Sequence, residues 1–358
     1  EIRAEPSCWG KSVSTLTGLE GPRDFVYIEP AGRRLTEYEA LNLFTQPTEA
    51  DEDHPVAKRT GWDESSTAIR SSNWYAFRDP AAMWYRPYIR RQVEQGRAIE
   101  RATKVAVASG SVNRIADDWA QSLLGDFYVA CAFFERGLFR AMSHASVEAL
   151  SDVLSIALIF NATDKERHAE DILYHQYDLC KAGVAVGDSD RRERWLSDPS
   201  LQPMRRLIEW LNACTDWCEV IVAVNLVVEP LLCRLIYNEI IGAQARAHGD
   251  GVTPIVVTEA DNDRQRNFEW TIALVRMVTG DEVYGDANRT LIDGWIAKWV
   301  TEVAAVLESL RPVAERAGTP YENAVTAIRD VWQQLIDHSG LTPVAPLDQG
   351  LAVAGGGA

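Results

Sequence analysis

The chain has 358 residues, of which 46% are hydrophobic and 9% aromatic, so it can bury one large core or two ordinary ones. Its 52 acidic residues outnumber its 36 basic residues, which gives a formal net charge of −16 at pH 7. A charge of this sign argues against nucleic acid and against an anionic membrane surface as partners, because both would repel the chain.

The sequence also indicates a cytoplasmic setting. It contains no run of 18 apolar residues free of charge, and residues 1–5 carry no signal-like apolar segment. The six cysteines are scattered. Cys214 and Cys218 lie one helical turn apart, but no second pair or histidine completes a zinc set. Reduced, structurally buried cysteines are therefore expected.

The first 80 residues are predicted to form an extended arm that packs on a partner subunit. Proline and glycine recur too often for a helix longer than two turns, apart from a short helix expected at 36–43. Aromatic residues are nevertheless too numerous for a disordered linker. Rings of this kind are normally buried against another surface. We expect that surface to be the chain's own helices and, for much of the arm, a partner subunit. They are Trp9, Phe25, Tyr27, Tyr38, Phe44, Trp62, Trp74, Tyr75 and Phe77.

Residues 81–340 are predicted to be helical throughout. Asp79 and Pro80 have the residue types of a helix N-cap and first turn, so a helix is expected to begin there. Residues 183–203 are rich in proline and glycine and are predicted to be a surface crossover, and residues 341–358 a flexible tail. No strand-like alternation longer than four residues recurs. The predicted fold class is therefore all-α.

Two helices between residues 111 and 183 carry part of a metal-site pattern. Glu135 lies in an apolar helical run, and His168 follows in the next helix. Carboxylate-bridged di-iron bundles use a glutamate three residues before a histidine, on the same helical face. Here Lys165 stands three residues before His168, and a protonated lysine cannot ligate a cation.

A second pair of helices repeats this pattern. Glu229 lies in a very apolar helix, and residues 261–267 parallel residues 164–168: each string has an aspartate, then a basic residue, then an arginine two positions on. In this second string Arg264 stands where a ligating glutamate would be, and Asn267 where a histidine would be. Only Glu135, His168 and Glu229 would remain of six ligand positions.

Buried carboxylates without a metal require another counter-charge. Lys165 and Arg264 are suitably placed to supply it. We therefore predict that Glu135 and Glu229 are ion-paired with Lys165, Arg264 or both inside a four-helix bundle without a metal site.

Several segments outside these strings resemble the β (small) subunit of the hydroxylase in soluble di-iron monooxygenases, the group that acts on methane, propane, alkenes, toluene and phenol. The most specific is Trp74-Tyr75-Ala76-Phe77-Arg78-Asp79-Pro80, and the similarity extends over about 25–340. The other segments are 45–47, 62–68, 72–73, 85–88, 194–199, 202–209 and 216–217.

The resemblance implies a ferritin-like, ribonucleotide-reductase-like helical bundle that is a metal-free copy of the bundle in the α subunit. It implies no catalytic or cofactor-binding residue in this chain, with the di-iron centre in the partner α subunit. NADH, FAD and an iron–sulfur cluster would belong to a separate reductase. The implied partners are the α subunit in an αβ or α2β2 assembly, the reductase and a small coupling protein.

The same resemblance suggests which side chains contact the partner. They are expected to be Trp62, Trp74, Phe77, Arg78, Tyr85 and Tyr88. The enzyme as a whole would be an NADH-dependent monooxygenase that hydroxylates or epoxidises a small alkene, alkane or aromatic hydrocarbon.

Three alternatives remain at this point: a self-contained di-iron oxidase of ferritin-like fold, a helical adaptor unrelated to oxygenases, and a ribonucleotide reductase small subunit. Two irons bound to the purified chain would favour the first. Purification without a hydroxylase partner would favour the second, and the third requires the iron ligands that this sequence lacks.

Overall fold

The computed structural model describes residues 36–42, 64–187 and 190–341, and every regular element within these ranges is helical. The all-α prediction is confirmed. The α-helices are α1 Glu37–Asn42, α2 Tyr85–Ala108, α3 Cys131–Glu148, α4 Asp152–Lys181, α5 Arg191–Ser197, α6 Gln202–Ala213, α7 Trp217–Ala223, α8 Ala243–Ala245, α9 Thr253–Thr279, α10 Gly285–Ser309, α11 Arg311–Ala317 and α12 Tyr321–Ser339. Two stretches, Trp119–Tyr128 and Val224–Gly242, have the wider turns of a π-helix.

One continuous helix, Trp217–His248, runs through the centre of the molecule and is called the core helix here. It packs against α9, α10 and α12. Its length and composition would allow it to cross a membrane, but 94% of its most apolar window is buried inside the protein. Pro230 lies within its wide-turn stretch and cannot donate a backbone hydrogen bond, and wider turns accommodate such a gap.

The helices α3 and α4 form a tightly packed antiparallel pair. The Ser151 hydroxyl caps α4 by accepting a hydrogen bond from the Leu154 N–H (3.3 Å). The two long helices predicted between residues 111 and 183 are therefore present. The first is divided into the wide-turn stretch Trp119–Tyr128 and α3.

The predicted helix start at Asp79 is wrong. The Asp79 carboxylate instead caps a turn, accepting hydrogen bonds from the N–H groups of Ala81 (2.9 Å) and Met83 (3.2 Å). Ala82 has a positive φ of 45°, which a right-handed helix does not allow, so α2 begins only at Tyr85.

The part of the arm that the structure describes packs on the chain's own helices. Trp74 contacts Trp217 of the core helix, with ring centroids 5.4 Å apart, and Phe77 meets Trp270 of α9 edge to face at 6.4 Å. Most of the predicted arm, and all of the predicted tail except Leu341, lie outside the described residues.

Candidate functional site

The helices α3, α4, α9 and the core helix bring all six predicted ligand positions into the interior. Each of these six residues is at most 2% exposed. Glu135 comes from α3 and Glu229 from the core helix, whereas α4 and α9 each supply two residues. The residues are Glu135, Lys165, His168, Glu229, Arg264 and Asn267.

The centre of this cluster is an inner quartet of two carboxylates and two cations. Lys165 Nζ donates to Glu229 Oε1 at 2.5 Å, and Arg264 Nη2 donates to Glu135 Oε1 at 2.9 Å. Arg264 Nε also lies 3.3 Å from Glu229 Oε1. The ion pairs expected from the sequence are therefore present, and the quartet is electrically balanced.

A second set of ion pairs, the outer pairs, lies beside the quartet. Arg266 of α9 donates to Asp164 of α4. In the opposite direction, Arg167 Nη2 of α4 donates to Asp263 Oδ2 of α9 at 2.5 Å. Each string thus supplies an aspartate to the arginine of the other string.

The same reciprocity extends to the last residue of each string. Asn267 Nδ2 donates to Asp164 Oδ2 at 2.9 Å, and His168 Nε2 lies 3.5 Å from Asp263 Oδ2. His168 Nδ1 is 3.7 Å from Glu135 Oε2, so this ring lies between the outer pairs and the inner quartet. The two halves of the bundle are joined by matching polar contacts in both directions.

The helix α2 covers the outer pairs from one side. The Tyr88 hydroxyl donates to Asp164 Oδ1 (3.1 Å), and Gln95 Nε2 donates to Asp263 Oδ1 (3.1 Å). Gln92 Nε2 lies within hydrogen-bonding distance of both carboxylates (3.3 Å to each). These contacts satisfy aspartates that would otherwise be buried without enough donors.

The charges of the cluster alter the pKa of its carboxyl groups. Burial alone would raise the pKa of Glu135, but the charges of Arg264, His168 and Lys165 outweigh it and lower the pKa from 4.5 to about 2. Burial is likewise outweighed at Asp263, whose pKa lies well below its usual range because of His168 and Arg167. Glu135 and Asp263 are therefore ionised at neutral pH.

The donor set does not fit a pair of metal ions. Lys165 and Arg264 donate to the two glutamates that would have to ligate, and neither cation offers a lone pair. The cavity that touches Glu135 and Arg264 measures only about 10 Å³, room for one water at most. Among the described residues no group of three or more His, Cys, Asp or Glu side chains is arranged to hold a metal.

The outer pairs were not predicted from the sequence, although both strings contain their residues. In the sequence these residues are only matching positions of the two strings: Asp164 with Asp263, and Arg167 with Arg266. Their shared spacing was the available signal: an aspartate and an arginine three residues apart occupy one helical face, so two such faces can pair crosswise.

The predicted partner-contact residues differ in their exposure. Trp74, Phe77 and Tyr88 are 8%, 2% and 2% exposed, so this chain's own helices cover their rings and leave them no surface for a partner. Arg78 is half-buried and donates to the carbonyl oxygens of Tyr75 and Phe77 (2.7 Å each). The remaining two differ: Tyr85 is 72% exposed, and Trp62 lies outside the described residues.

Comparison with known proteins shows the family of the chain. Residues 54–282 match the model of the methane, phenol and alkene hydroxylase family. The small subunit of the propane 2-monooxygenase hydroxylase component from Mycolicibacterium goodii is 30% identical over 317 residues, covering 85% of this chain and 83% of that protein. The β chain of methane monooxygenase component A from Methylococcus capsulatus is 28% identical over 317 residues, covering 84% of this chain and 82% of that protein.

Solved structures share the fold. A chain of phenol hydroxylase from Pseudomonas sp. OX1 superposes with a TM-score of 0.75 at 19% identity, over 87% of this chain and 92% of that chain. A chain of toluene 4-monooxygenase superposes with a TM-score of 0.65 at 22% identity, over 82% of this chain and 94% of that chain. The ferritin-like bundle expected from the resemblance is confirmed. The chain belongs to the methane, phenol and alkene hydroxylase family, in which its relatives are the hydroxylase small or β subunits.

Proposed function

We propose that this chain is the non-catalytic small subunit of a soluble monooxygenase hydroxylase. In this role it scaffolds a larger chain that holds a di-iron centre and uses O2 and electrons from NADH to oxidise a small hydrocarbon. The relatives' names, which include propane, methane, toluene and phenol monooxygenases, support the general reaction. A propane-type or alkene-type substrate is our narrower proposal.

The observation that carries the non-catalytic role is the inner quartet. Both glutamates that could bridge two metal ions already accept charge-assisted hydrogen bonds from Lys165 and Arg264. Metal binding would displace Lys165 and Arg264 from the glutamates and leave both cations buried and unpaired. Each unpaired cation would cost several kcal/mol of folding free energy. This disfavours the alternative of a self-contained di-iron oxidase, and the family membership disfavours an unrelated adaptor.

Metal analysis of the separated chains tests the proposal. The small chain is co-produced with the larger hydroxylase chain, the complex is purified, and the subunits are resolved before iron is measured. We expect all iron to accompany the larger chain. One or more irons retained per small chain would contradict a non-catalytic role.

The remaining components of the system are part of the same proposal. We infer that a reductase carrying FAD and an iron–sulfur cluster transfers electrons from NADH, and that a small coupling protein completes the system. Reconstitution of hydrocarbon oxidation is expected to require all these components together with this chain. Full activity of the larger chain without it would contradict the scaffold role.

A further inference from the structure

The outward side of α2 exposes apolar side chains in a row. Tyr85, Ile89 and Val93 follow one another at intervals of four residues and are 72%, 39% and 44% exposed, so they lie on one face of the helix. Ile159 of the adjacent α4 is 46% exposed. Single exposed apolar residues are ordinary, but a row of them on one helix is typical of a contact surface.

The same helix is basic, in contrast to the rest of the chain. It carries six basic and two acidic residues, a net charge of +4 and the highest among the described helices, in a protein of net charge −16. Arg86, Arg90, Arg97 and Arg101 are exposed beside the apolar row, together with Glu94 and with Glu100, which pairs with Lys104. We call the exposed side of residues 85–101 the α2 outer face.

Gly96 lies on the α2 outer face in the middle of the helix. A Cβ added there would meet no atom within 4 Å. Glycine in an exposed helix interior costs about 1 kcal/mol relative to alanine, and neither a turn nor a close contact within the described chain requires it at this position. Because Gly96 lies beside the exposed apolar row, a close approach by another molecule would account for it.

The inner side of α2 is fixed to the protein. Tyr88 and Gln95 bond the outer-pair aspartates, and Arg91 donates to the Asn262 carbonyl oxygen (2.8 Å). The outer face is therefore presented on a rigid element, which reduces the ordering cost of association.

We infer that the α2 outer face docks an acidic, partly apolar surface of the larger hydroxylase chain. The inference rests on the proposed function, which supplies that partner. Complementary charge favours an acidic surface. A second copy of this chain is disfavoured, because a two-fold contact would place the same arginines against each other.

The test compares two glycine variants in the co-purified complex. Gly96→Leu fills the open space on α2, and Gly294→Leu does the same in the middle of α10, where a Cβ also meets nothing within 4 Å and the neighbours on that face, Thr290 and Lys298, are polar. We expect Gly96→Leu to raise the Kd of the complex about tenfold or more, measured by sedimentation on dilution. We expect Gly294→Leu to leave it within about twofold.

A charge variant tests the electrostatic part. Arg90→Glu combined with Arg97→Glu is expected to weaken the complex about tenfold at low salt and to make its Kd less dependent on ionic strength. An unchanged salt dependence would overturn the assignment to an acidic surface.

Three outcomes separate the possible failures. If the wild-type chains form no complex, the proposed function itself fails. If they do and Gly96→Leu binds like wild type, the docking inference is overturned while the proposed function stands. If Gly96→Leu lowers the melting temperature of the small chain alone, residues of this chain cover the face, and the inference is again overturned.

Discussion

At the scale of single residues, the buried lysine is the most informative side chain. Lys165 and Glu229 are each 0% exposed, and their contact is 2.5 Å. Lys165→Met keeps most of the side-chain volume but removes the charge, so we expect it to lower the free energy of unfolding by about 3 to 5 kcal/mol. Urea denaturation of the full chain measures the change.

The double variant Lys165→Met, Glu229→Leu provides the control. It removes both charges of the pair, so much of the lost stability should return. Recovery is expected to be incomplete because Arg264 Nε also contacts Glu229. A loss below about 1 kcal/mol for the single variant would be typical of a surface ion pair and would contradict the buried assignment.

Glu135 gives the cluster a defined pH dependence. Its pKa is lowered in the folded protein to about 2 from 4.5, so its contribution is present above pH 4.5 and is lost as the pH falls from 4.5 toward 2. A shift of this size corresponds to about 3 kcal/mol. We expect Glu135→Gln to flatten the acid side of the stability curve in that window, measured by denaturation at each pH.

The matched control is Glu94→Gln on the exposed side of α2. It should leave the shape of the curve unchanged. If both variants follow wild type between pH 4.5 and 2, the ion pair of Glu135 with Arg264 does not contribute to acid stability.

At the scale of elements, the sequence predicted the six central residues because their signal is local. Lys165 and His168, like Arg264 and Asn267, are three residues apart on one helix, and that spacing is readable without a structure. The crosswise contacts between α4 and α9 depend on how the two helices pack, which no spacing within one helix reveals.

Helix boundaries were less predictable. Asp79 and Pro80 fit a helix start by residue type, yet the left-handed backbone of Ala82 postpones α2 to Tyr85. An aromatic arm needs a surface for its rings, but the sequence does not show that the core helix covers Trp74 and that α9 covers Phe77.

If α4 and α9 retain the framework of a metal site, restoring the ligands should restore binding. The triple variant Lys165→Glu, Arg264→Glu, Asn267→His places four glutamates and two histidines in the bundle. We expect its melting temperature to rise on addition of Co²⁺ or Mn²⁺, because metal binding then stabilises the folded state.

The wild-type chain is the reference for this experiment and should show no rise with either ion. A triple variant that folds but is unaffected by both ions would mean that the helices no longer hold the geometry of a dinuclear site.

At the scale of the whole molecule, the described end of the arm belongs to the folded core. Ile69 and Phe77 are 1% and 2% exposed. Deleting residues 1–80 would remove both and expose Trp217 and Trp270, so we expect a loss of several kcal/mol in unfolding free energy, measured by thermal and urea denaturation. Wild-type stability after the deletion would contradict this packing.

The crosswise pairing of α4 with α9 also bears on how the chain could be divided. A fragment ending at residue 187 would keep Asp164 but lose Arg266, which neutralises it, and Arg167 would keep Asp171 but lose Asp263. A fragment beginning at residue 190 would keep Asp263 and Arg266 but lose their partners Arg167 and Asp164. Each fragment therefore lacks charged partners that the other supplies. We expect each to stay unstructured when made separately, and native helicity to return only when the two are mixed.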